Sequence, residues 1–410
     1  MFLPLQRMKI LPFRNLFVGI VDTLNQIFFE GKYADREVEK TLKSNRSWGA
    51  RDRAFIAETV YDLVRWKRLV EGAMSRPLSP DTLWEFVGTW FAMNLAEEQH
   101  LPQWEEFRQI YPKEILKRLH NSSSNPAVAQ SFPDWLYALG EKELGQQWLQ
   151  EVEALNQQAP TIIRVNTLKI DRKSLQKLLK ERRIKTKILS KFPYALALEE
   201  KTNIFRTDEF QNGLFEVQDV GSQLIAPFLR VEPGMRVVDA CAGAGGKTLH
   251  LAALMQNKGQ IIAMDLYEWK LKELKKRARR NDVQNVQTKV IESKTIKRLD
   301  STVDRLLIDA PCSGLGVLKR NPDTKWKLQP EFLDNIRAEQ AKILNDYSRM
   351  LKKGGLMVYA TCSILPSENQ EQVEKFLANH PNFTLIQEKQ YFPSQYGYDG
   401  FYMALMERVE

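Results

Sequence analysis

The chain has 410 residues, of which 43% are hydrophobic and 27% charged, as is usual for a soluble globular protein. No apolar run approaches the ~20 residues of a membrane-spanning helix, Met1–Arg14 lacks the features of a signal peptide, and three cysteines are too few for a disulfide framework. Membrane-embedded and disulfide-rich classes are therefore excluded, and a cytoplasmic location is expected. The net charge of +9 favours a polyanionic partner, most commonly nucleic acid.

The first third of the chain has a helical pattern. From about residue 14 to 135, apolar residues recur at intervals of three and four, as in Phe17, Ile20, Val21 and Leu24. Basic residues occupy the remaining positions, which is typical of a solvated helix face. Trp48 and Trp66 are interleaved with them, so an RNA-facing surface is also compatible with the pattern. We predict an all-α domain over residues 1–135.

Two further regions follow. A helical stretch from Trp135 to Ala154, a strand at Thr161–Thr167, a basic helix at Lys173–Arg183 and a β-rich piece at Lys185–Phe215 predict a small α+β domain over residues 136–215. From residue 216 onward, short apolar runs alternate with helical stretches. This alternation predicts a mostly parallel sheet with helices on both faces, over residues 216–410.

A glycine-rich turn lies at the start of the last region, where the first strand ends at Asp239 and a helix opens near Lys247. Its spacing does not match a phosphate-binding loop, and alone it indicates only a tight connection. The second strand ends at Asp265, 26 positions later. An acid there can accept hydrogen bonds from both ribose hydroxyls or can serve as a helix N-cap. The two strand-end acids together favour an adenosine-type ligand.

Two cysteines end apolar, strand-like runs. Cys312 lies in Asp309-Ala310-Pro311-Cys312-Ser313-Gly314, and Cys362 lies in Tyr359-Ala360-Thr361-Cys362-Ser363. Open α/β sheets place their reactive groups at such strand ends. A buried, unreactive cysteine is the alternative, but the preceding Asp-Ala-Pro makes it the weaker interpretation for Cys312.

These motifs carry a resemblance. Together with Arg164–Lys169, Val217–Asp219, Arg320–Asp323 and Asp399–Phe401, they resemble the RNA cytosine-5 methyltransferases that use S-adenosylmethionine, specifically the bacterial rRNA branch, over roughly residues 133–410. The resemblance implies a Rossmann-like class I methyltransferase domain with a mostly parallel seven-stranded sheet. A small α+β RNA-binding domain and an N-terminal all-α, NusB-like domain would precede it.

The resemblance also implies site roles. Cys362 would attack C6 of cytosine, Cys312 would assist release of the methylated base, and Asp309 would contact N3. DNA cytosine-5 enzymes attack with the cysteine of a Pro-Cys motif, so swapped cysteine roles stay open. S-adenosylmethionine would be bound by Cys241, Ala242, Gly243, Ala244, Gly245, Gly246, Lys247, Asp265, Glu292 and Asp309.

The chain departs from the family pattern at two points. The cofactor turn has Gly243-Ala244 where Ala-Pro is commoner. The third strand ends in Glu292-Ser293, where the family often has Gly-Asp with the Asp on the adenine amine. Glu292 or Ser293 is therefore the candidate for that contact.

The expected substrate is 16S rRNA. A tRNA substrate is the alternative within the same chemistry, and a non-catalytic rRNA-binding assembly factor is the alternative outside it. We expect a monomer and no metal site. Further candidate contacts to RNA phosphates are Lys319, Arg320, Lys325 and Lys327, whereas Trp326 is expected to pack. Arg164 and Asn166 resemble the family's RNA-side signature, although a strand edge would also tolerate them. The basic run Lys270–Arg280 is expected to be a solvated helix face, with RNA contact as the alternative.

Overall fold

A computed structural model describes residues 13–94, 100–292 and 294–410. The chain divides into two compact units, the first reaching to Asn156 and including Leu318–Leu328, and the second holding the remainder. The predicted boundaries at residues 135 and 215 stay predictions. Most of Met1–Arg14, and Ser293 as a candidate adenine contact, lie outside the described residues. Within the described ranges, no helix is both long and apolar enough to cross a membrane.

The first unit is helical, as its apolar periodicity predicts. Phe17 is fully buried, and its ring lies 4.9 Å from each of the rings of Phe91 and Trp104. The predicted stretch from Trp135 to Ala154 is two helices, because Gly145 between them adopts a positive φ of 56° that breaks the helix. The helices are α1 (Arg14–Phe28), α2 (Ala34–Ser44), α3 (Ala50–Arg65), α4 (Lys67–Ala73), α5 (Leu83–Asn94), α6 (Pro112–Ser122), α7 (Pro126–Ala129), α8 (Asp134–Leu144) and α9 (Gln147–Leu155).

Trp48 and Trp66 belong to the core of this unit. Their exposed fractions are 8% and 9%, and both pack in the cluster that contains Phe17. An RNA-facing role for these two side chains is therefore wrong, because buried indole rings are not available to stack on bases.

The second unit begins with a small antiparallel sheet in the order β2-β3-β1-β4. The Asp171 side chain caps its longer helix by accepting hydrogen bonds from the N–H groups of Lys173 and Ser174. The elements are β1 (Ile162–Val165), α10 (Arg172–Glu181), β2 (Thr186–Ile188), β3 (Ala195–Leu198), α11 (Asp208–Gln211) and β4 (Phe215–Val217).

A seven-stranded sheet follows, in the order β10-β11-β9-β8-β5-β6-β7. Five adjacent strands, from β9 to β7 in that order, are parallel to one another, whereas β11 is antiparallel to both of its neighbours, β9 and β10. The predicted class I methyltransferase sheet is therefore confirmed. The elements are α12 (Val220–Phe228), β5 (Arg236–Asp239), α13 (Gly246–Leu254), β6 (Gln260–Asp265), α14 (Glu268–Arg280), β7 (Val286–Val290), β8 (Val303–Asp309), α15 (Thr324–Lys327), α16 (Pro330–Ser348), β9 (Leu351–Thr361), α17 (Gln370–Asn379), β10 (Phe383–Tyr391), α18 (Pro393–Tyr396) and β11 (Phe401–Arg408).

The strand order reverses at β5. The chain runs from β5 outward to β6 and β7, and then returns to place β8 on the other side of β5. Ligands in open α/β sheets bind at such a switch point, beside the carboxyl ends of the strands. The reversal brings the turn after Asp239 next to the loop after Asp309, and the N–H of Ala240 donates to the carbonyl of Leu307 at 2.9 Å.

The segment Leu318–Leu328, which contains α15, belongs to the helical unit. Lys325 is only 1% exposed; its Nζ donates to Asn156 Oδ1 at 3.2 Å and lies 4.4 Å from the Phe132 ring centroid. Lys319 is also buried. The expected phosphate contacts of Lys319 and Lys325 are therefore wrong, because buried amines do not reach a polyanion. Trp326 packs as predicted, and its indole N–H donates to the carbonyl of Val64 at 2.6 Å.

Candidate active site

The glycine-rich turn needs glycine for two different reasons. Gly245 has φ of 89° at the start of α13, and an added Cβ there would lie 2.5 Å from Leu274 Cγ. Gly243 has φ of 54°, with no atom within 4 Å of an added Cβ. The turn at Gly243 thus presents bare backbone to open space, which is the geometry that a closely approaching cofactor requires.

Two arginines from neighbouring elements donate hydrogen bonds to the main chain of this turn. Arg164 of β1 donates from Nη1 to the carbonyl of Gly246 at 2.7 Å, and Arg277 of α14 donates to the carbonyl of Ala244 at 2.9 Å. Arg277 also pairs with Glu216 of β4 at 2.9 Å. Burial lowers the pKa of Arg164 to about 9, and Glu216 partly offsets that effect. Both guanidinium groups fix main-chain carbonyls of the predicted cofactor turn.

Arg164 and Asn166 were candidates for RNA contact, and the structure corrects this. Both are buried, and Asn166 Nδ2 donates at 2.9 Å to the carbonyls of Gly213 and Asn281. Their side chains therefore join the small sheet to the methyltransferase sheet within the second unit. Sequence alone does not distinguish these roles, because both need a polar side chain at a strand.

The Asp265 carboxylate is fixed in place at the end of β6. Its two oxygens accept from the N–H groups of Gly243 at 3.0 Å and Tyr267 at 2.9 Å, and Lys270 Nζ lies 3.7 Å away. Each oxygen keeps a second lone pair for a ligand hydroxyl. Glu292 follows the neighbouring strand β7, and its side chain is exposed. The open turn, Asp265 and the exposed Glu292 fit the adenosine part of S-adenosylmethionine, whereas Asp239 does not face it.

Asp239 lies beneath this surface, fully buried. Thr248 Oγ1 donates to its Oδ2 at 2.7 Å, whereas Oδ1 is buried without a hydrogen-bond partner. Burial raises the pKa of Asp239 to about 7, with a smaller opposing effect from Thr248. The Asp239 carboxyl group, which lies beneath the turn, is therefore partly protonated near neutral pH.

Lys247 forms an ion pair with Asp309 across the switch point, with Nζ 2.5 Å from Oδ2. Burial alone would lower the pKa of Lys247, but Asp309 outweighs it, and the pKa lies above its ordinary value. The Lys247 ammonium also lies 5.6 Å from the Phe401 ring centroid. The structure thus shows Lys247 as a cation held against the Asp309 carboxylate.

The two motif cysteines meet, with Cys312 Sγ and Cys362 Sγ only 3.3 Å apart. Their loops are tied by main-chain hydrogen bonds, from Ala310 to Ala360 at 2.8 Å and from Gly316 to Cys362 at 2.8 Å. The hydrogen bond to Cys362, together with burial, raises the pKa of the Cys312 thiol well above its ordinary value. The structure therefore brings together two thiols whose motifs are 50 positions apart.

Cys241 and Glu368 complete the surroundings. Cys241 lies in the predicted cofactor turn and packs against the sheet core, and burial raises the pKa of its thiol. Glu368, which sequence reasoning missed, is buried and accepts hydrogen bonds from the residues that follow both motif cysteines. The only sequence signal was an acid in Ser-Glu-Asn just after the second cysteine motif. Among the described residues, no group of three or more His, Cys, Asp or Glu could hold a metal ion.

The seven-stranded sheet, with its glycine-rich turn and a thiol pair at the carboxyl ends of the strands, places this protein among the class I methyltransferases. Residues 226–407 match the family described as 16S rRNA methyltransferase RsmB/F, and residues 132–205 match the ferredoxin-like domain of the RsmF/B-like methyltransferases. The chain belongs to this rRNA methyltransferase family, which confirms the predicted resemblance and the predicted cofactor, S-adenosylmethionine.

Individual relatives support the assignment. The ribosomal RNA small subunit methyltransferase B of Vibrio vulnificus is 34% identical over 295 residues, covering 70% of this chain and 68% of that protein. A probable ribosomal RNA small subunit methyltransferase B of Synechocystis sp. is 36% identical, over 62% of this chain and 58% of that protein. The crystal structure of PH0851 matches 98% of this chain and all of that one, with a TM-score of 0.81 at 24% identity, and supports the fold.

Proposed function

We propose that this protein transfers a methyl group from S-adenosylmethionine to C5 of a cytidine in 16S rRNA, through a covalent bond between a cysteine and C6. The observation that carries the proposal is the 3.3 Å separation of Cys312 Sγ and Cys362 Sγ at the switch point. Asp309 ends β8, the strand that precedes Cys312, and its partner Lys247 follows the neighbouring strand β5. One nucleophile, one partner thiol and one carboxyl group are the set that this chemistry needs.

Cytosine C5 is a poor nucleophile, and the thiol changes that. The Cys362 thiolate bonds to C6, and the electron pair of the C5–C6 double bond moves toward N3, which takes a proton that the Lys247 ammonium supplies through the Asp309 carboxyl group. C5 then carries enamine character. S-adenosylmethionine, when bound, supplies the methyl group that C5 attacks.

Release reverses the addition. A base removes the C5 proton, the C6–S bond breaks with its electron pair returning to Cys362, and the N3 proton returns through Asp309 to Lys247. We assign assistance in this step to Cys312, whose Sγ lies 3.3 Å from Cys362 Sγ. Its thiol gives its proton to the departing Cys362 sulfur, and the resulting thiolate takes up the C5 proton. The net reaction exchanges one proton on C5 for one methyl group.

The cofactor would lie along the turn from Cys241 to Lys247. Gly243 leaves space for close approach, Asp265 offers oxygens for the ribose hydroxyls, and the exposed Glu292 on the next strand is the candidate for the adenine amine. The name of the relatives, small-subunit rRNA methyltransferase B, favours rRNA over tRNA, whereas the basic charge of this chain suits either polyanion.

The test is methyl transfer from labelled S-adenosylmethionine to unmodified 16S rRNA transcript, isolated 30S subunits and a tRNA pool, with identification of the labelled nucleoside. We expect label in 5-methylcytidine of the rRNA. Label on another nucleoside would refute the C5 chemistry, and label on tRNA alone would refute the substrate.

Cysteine variants separate the two thiol roles. Cys362→Ala should abolish label and form no covalent protein–RNA adduct, whereas Cys312→Ala should accumulate that adduct, detectable on denaturing gels. An adduct from Cys362→Ala instead would reverse the assignment. Thr384→Ala, exposed on the edge strand β10, is the control and should behave as wild type.

A further inference from the structure

Glu368 has no part in the reaction proposed above, although it lies between the two cysteine loops. It ends the short turn Pro366–Glu368 between β9 and α17 and is fully buried. Its carboxylate accepts four hydrogen bonds, from the Ser313 N–H at 2.8 Å, Ser313 Oγ at 2.5 Å, Ser363 Oγ at 2.5 Å and Gln340 Nε2 at 3.1 Å. Each of the two carboxylate oxygens therefore accepts two hydrogen bonds.

The hydrogen-bond donors to the Glu368 carboxylate belong to the two cysteine loops. Ser313 directly follows Cys312, and Ser363 directly follows Cys362. Gln340 of α16 also donates to the carbonyl of Pro311 at 3.0 Å, so the residues on both sides of Cys312 are connected to the same group. One carboxylate therefore links the two loops that carry the thiols.

The next residue fixes the second loop. Asn369 Oδ1 accepts from Thr361 Oγ1 at 2.5 Å, and its Nδ2 donates to the carbonyl of Ser363 at 3.1 Å. Thr361 and Ser363 flank Cys362, so this loop is held on both sides as well. The Glu368-Asn369 dipeptide therefore contacts the neighbours of both cysteines.

Burial of a carboxylate is costly unless its hydrogen bonds are satisfied, and an apolar side chain would fill the same space without that cost. What an apolar side chain cannot do is hold three loop donors in fixed directions. Reacting atoms need positions accurate to a fraction of an ångström, and a 1 Å displacement can cost ~10²-fold in rate.

We propose that Glu368 is a positioning residue that sets the distance and direction between the Cys312 and Cys362 thiols. The proposal rests on the proposed cysteine chemistry, but the thiol geometry itself can be measured without RNA. Glu368 touches neither thiol by hydrogen bond, and it acts through Ser313 and Ser363.

Three substitutions test the role. Glu368→Met fills the volume and removes all four acceptor bonds. Glu368→Gln keeps one carbonyl oxygen for the Ser313 N–H and Gln340, while its amide can donate to the two hydroxyls if they turn to accept. Tyr359→Phe is the matched control, because the Tyr359 hydroxyl donates to the main-chain carbonyl of Glu368 at 2.7 Å and leaves the carboxylate bonds intact.

The first measurement is the rate at which diamide, which accepts the two thiol hydrogens, converts Cys312 and Cys362 to a disulfide in the protein without RNA or cofactor. Mass spectrometry of non-reduced digests identifies the pair. We expect a rate at least ~10-fold lower for Glu368→Met, an intermediate rate for Glu368→Gln and a near-wild-type rate for Tyr359→Phe. Wild-type disulfide formation in Glu368→Met would overturn the proposal.

The second measurement separates turnover from binding. For Glu368→Met we expect kcat to fall ~10²-fold while the Kd for S-adenosylmethionine changes less than about twofold, since the carboxylate does not contact the cofactor turn. An equal fall of kcat in Tyr359→Phe would mean that loss of stability, not thiol position, lowers the rate, and would also overturn the proposal. If wild type itself methylates no RNA, the proposed function fails, and the disulfide rates still decide the role of Glu368.

If circular dichroism and the Tm show that Glu368→Met loses its fold, the double variant Ser313→Ala, Ser363→Ala replaces it, since this variant removes the two hydroxyl donors and keeps the carboxylate. The same reduction of disulfide rate is expected there, and an unchanged rate would overturn the proposal.

Discussion

Two regions of this molecule bury ionisable groups, and they do so to different ends. At the carboxyl edge of the seven-stranded sheet, Lys247 is paired with Asp309 beside two thiols. In the helical unit, Lys325 is buried against Phe132 and bonds to a neutral amide. Both lysines have shifted pKa values, in opposite directions. A buried, perturbed lysine therefore does not by itself indicate a reactive site; the strand-end position and the neighbouring groups do.

The largest expected effect is on catalysis, and it tests whether the two buried lysines have different roles. Lys247→Met should lower kcat of methyl transfer by about 10²- to 10³-fold, the usual loss for a charge that stabilises a reacting group, because Asp309 loses its cation. Lys325→Met makes the same chemical change in the helical unit and should leave kcat within about twofold. The measurement is single-turnover transfer of labelled methyl to 16S rRNA. Equal losses in the two variants would remove the distinction between the regions.

The second prediction uses the pH dependence of stability. The folded pKa of Asp239, about 7, exceeds its ordinary value because the group is buried, so the folded state binds more protons than the unfolded state between about pH 4 and 7. Stability should therefore fall as pH rises through this window, by an amount on the order of 4 kcal/mol. Asp239→Asn should remove this dependence, as measured by urea unfolding from pH 4 to 8. An unchanged slope in the variant would show that Asp239 does not titrate there.

Much of the site could be predicted from the sequence, because its elements are local. The strand-end acids, the glycine-rich turn and both cysteines each lie at a change from apolar run to turn, and parallel strands collect such ends at one edge. Residues fixed by distant partners could not be predicted. The donors to Glu368 lie up to 55 positions away, and the burial of Trp48, Arg164 and Lys325 depends on packing that a lone sequence does not reveal.

A third prediction compares two glycines with positive φ. Gly31, in the helical unit, has φ of 67° and nothing within 4 Å of an added Cβ, so Gly31→Ala should cost only the left-handed conformation, ~1–2 kcal/mol. Gly245→Ala should cost more, because its Cβ would also meet Leu274 at 2.5 Å. It should in addition weaken binding of S-adenosylmethionine by about tenfold. Denaturant unfolding measures the stability of the two variants, and calorimetric titration measures binding of S-adenosylmethionine. Unaltered cofactor binding in Gly245→Ala would contradict the placement of the cofactor at this turn.

The smallest expected effect concerns the contribution of Lys325, in the helical unit, to stability. Burial, with Arg65 nearby, lowers the pKa of Lys325 well below its ordinary value, so the unfolded state binds more protons than the folded state. This group therefore makes stability rise with pH, the opposite sense to Asp239, and the contribution is lost as pH falls through the folded pKa. Lys325→Met should remove that slope and stabilise the protein at pH 7 by about 1 kcal/mol. A lower Tm for Lys325→Met at pH 7 would mean that the bond to Asn156 and the contact with Phe132 outweigh the cost of burying the amine.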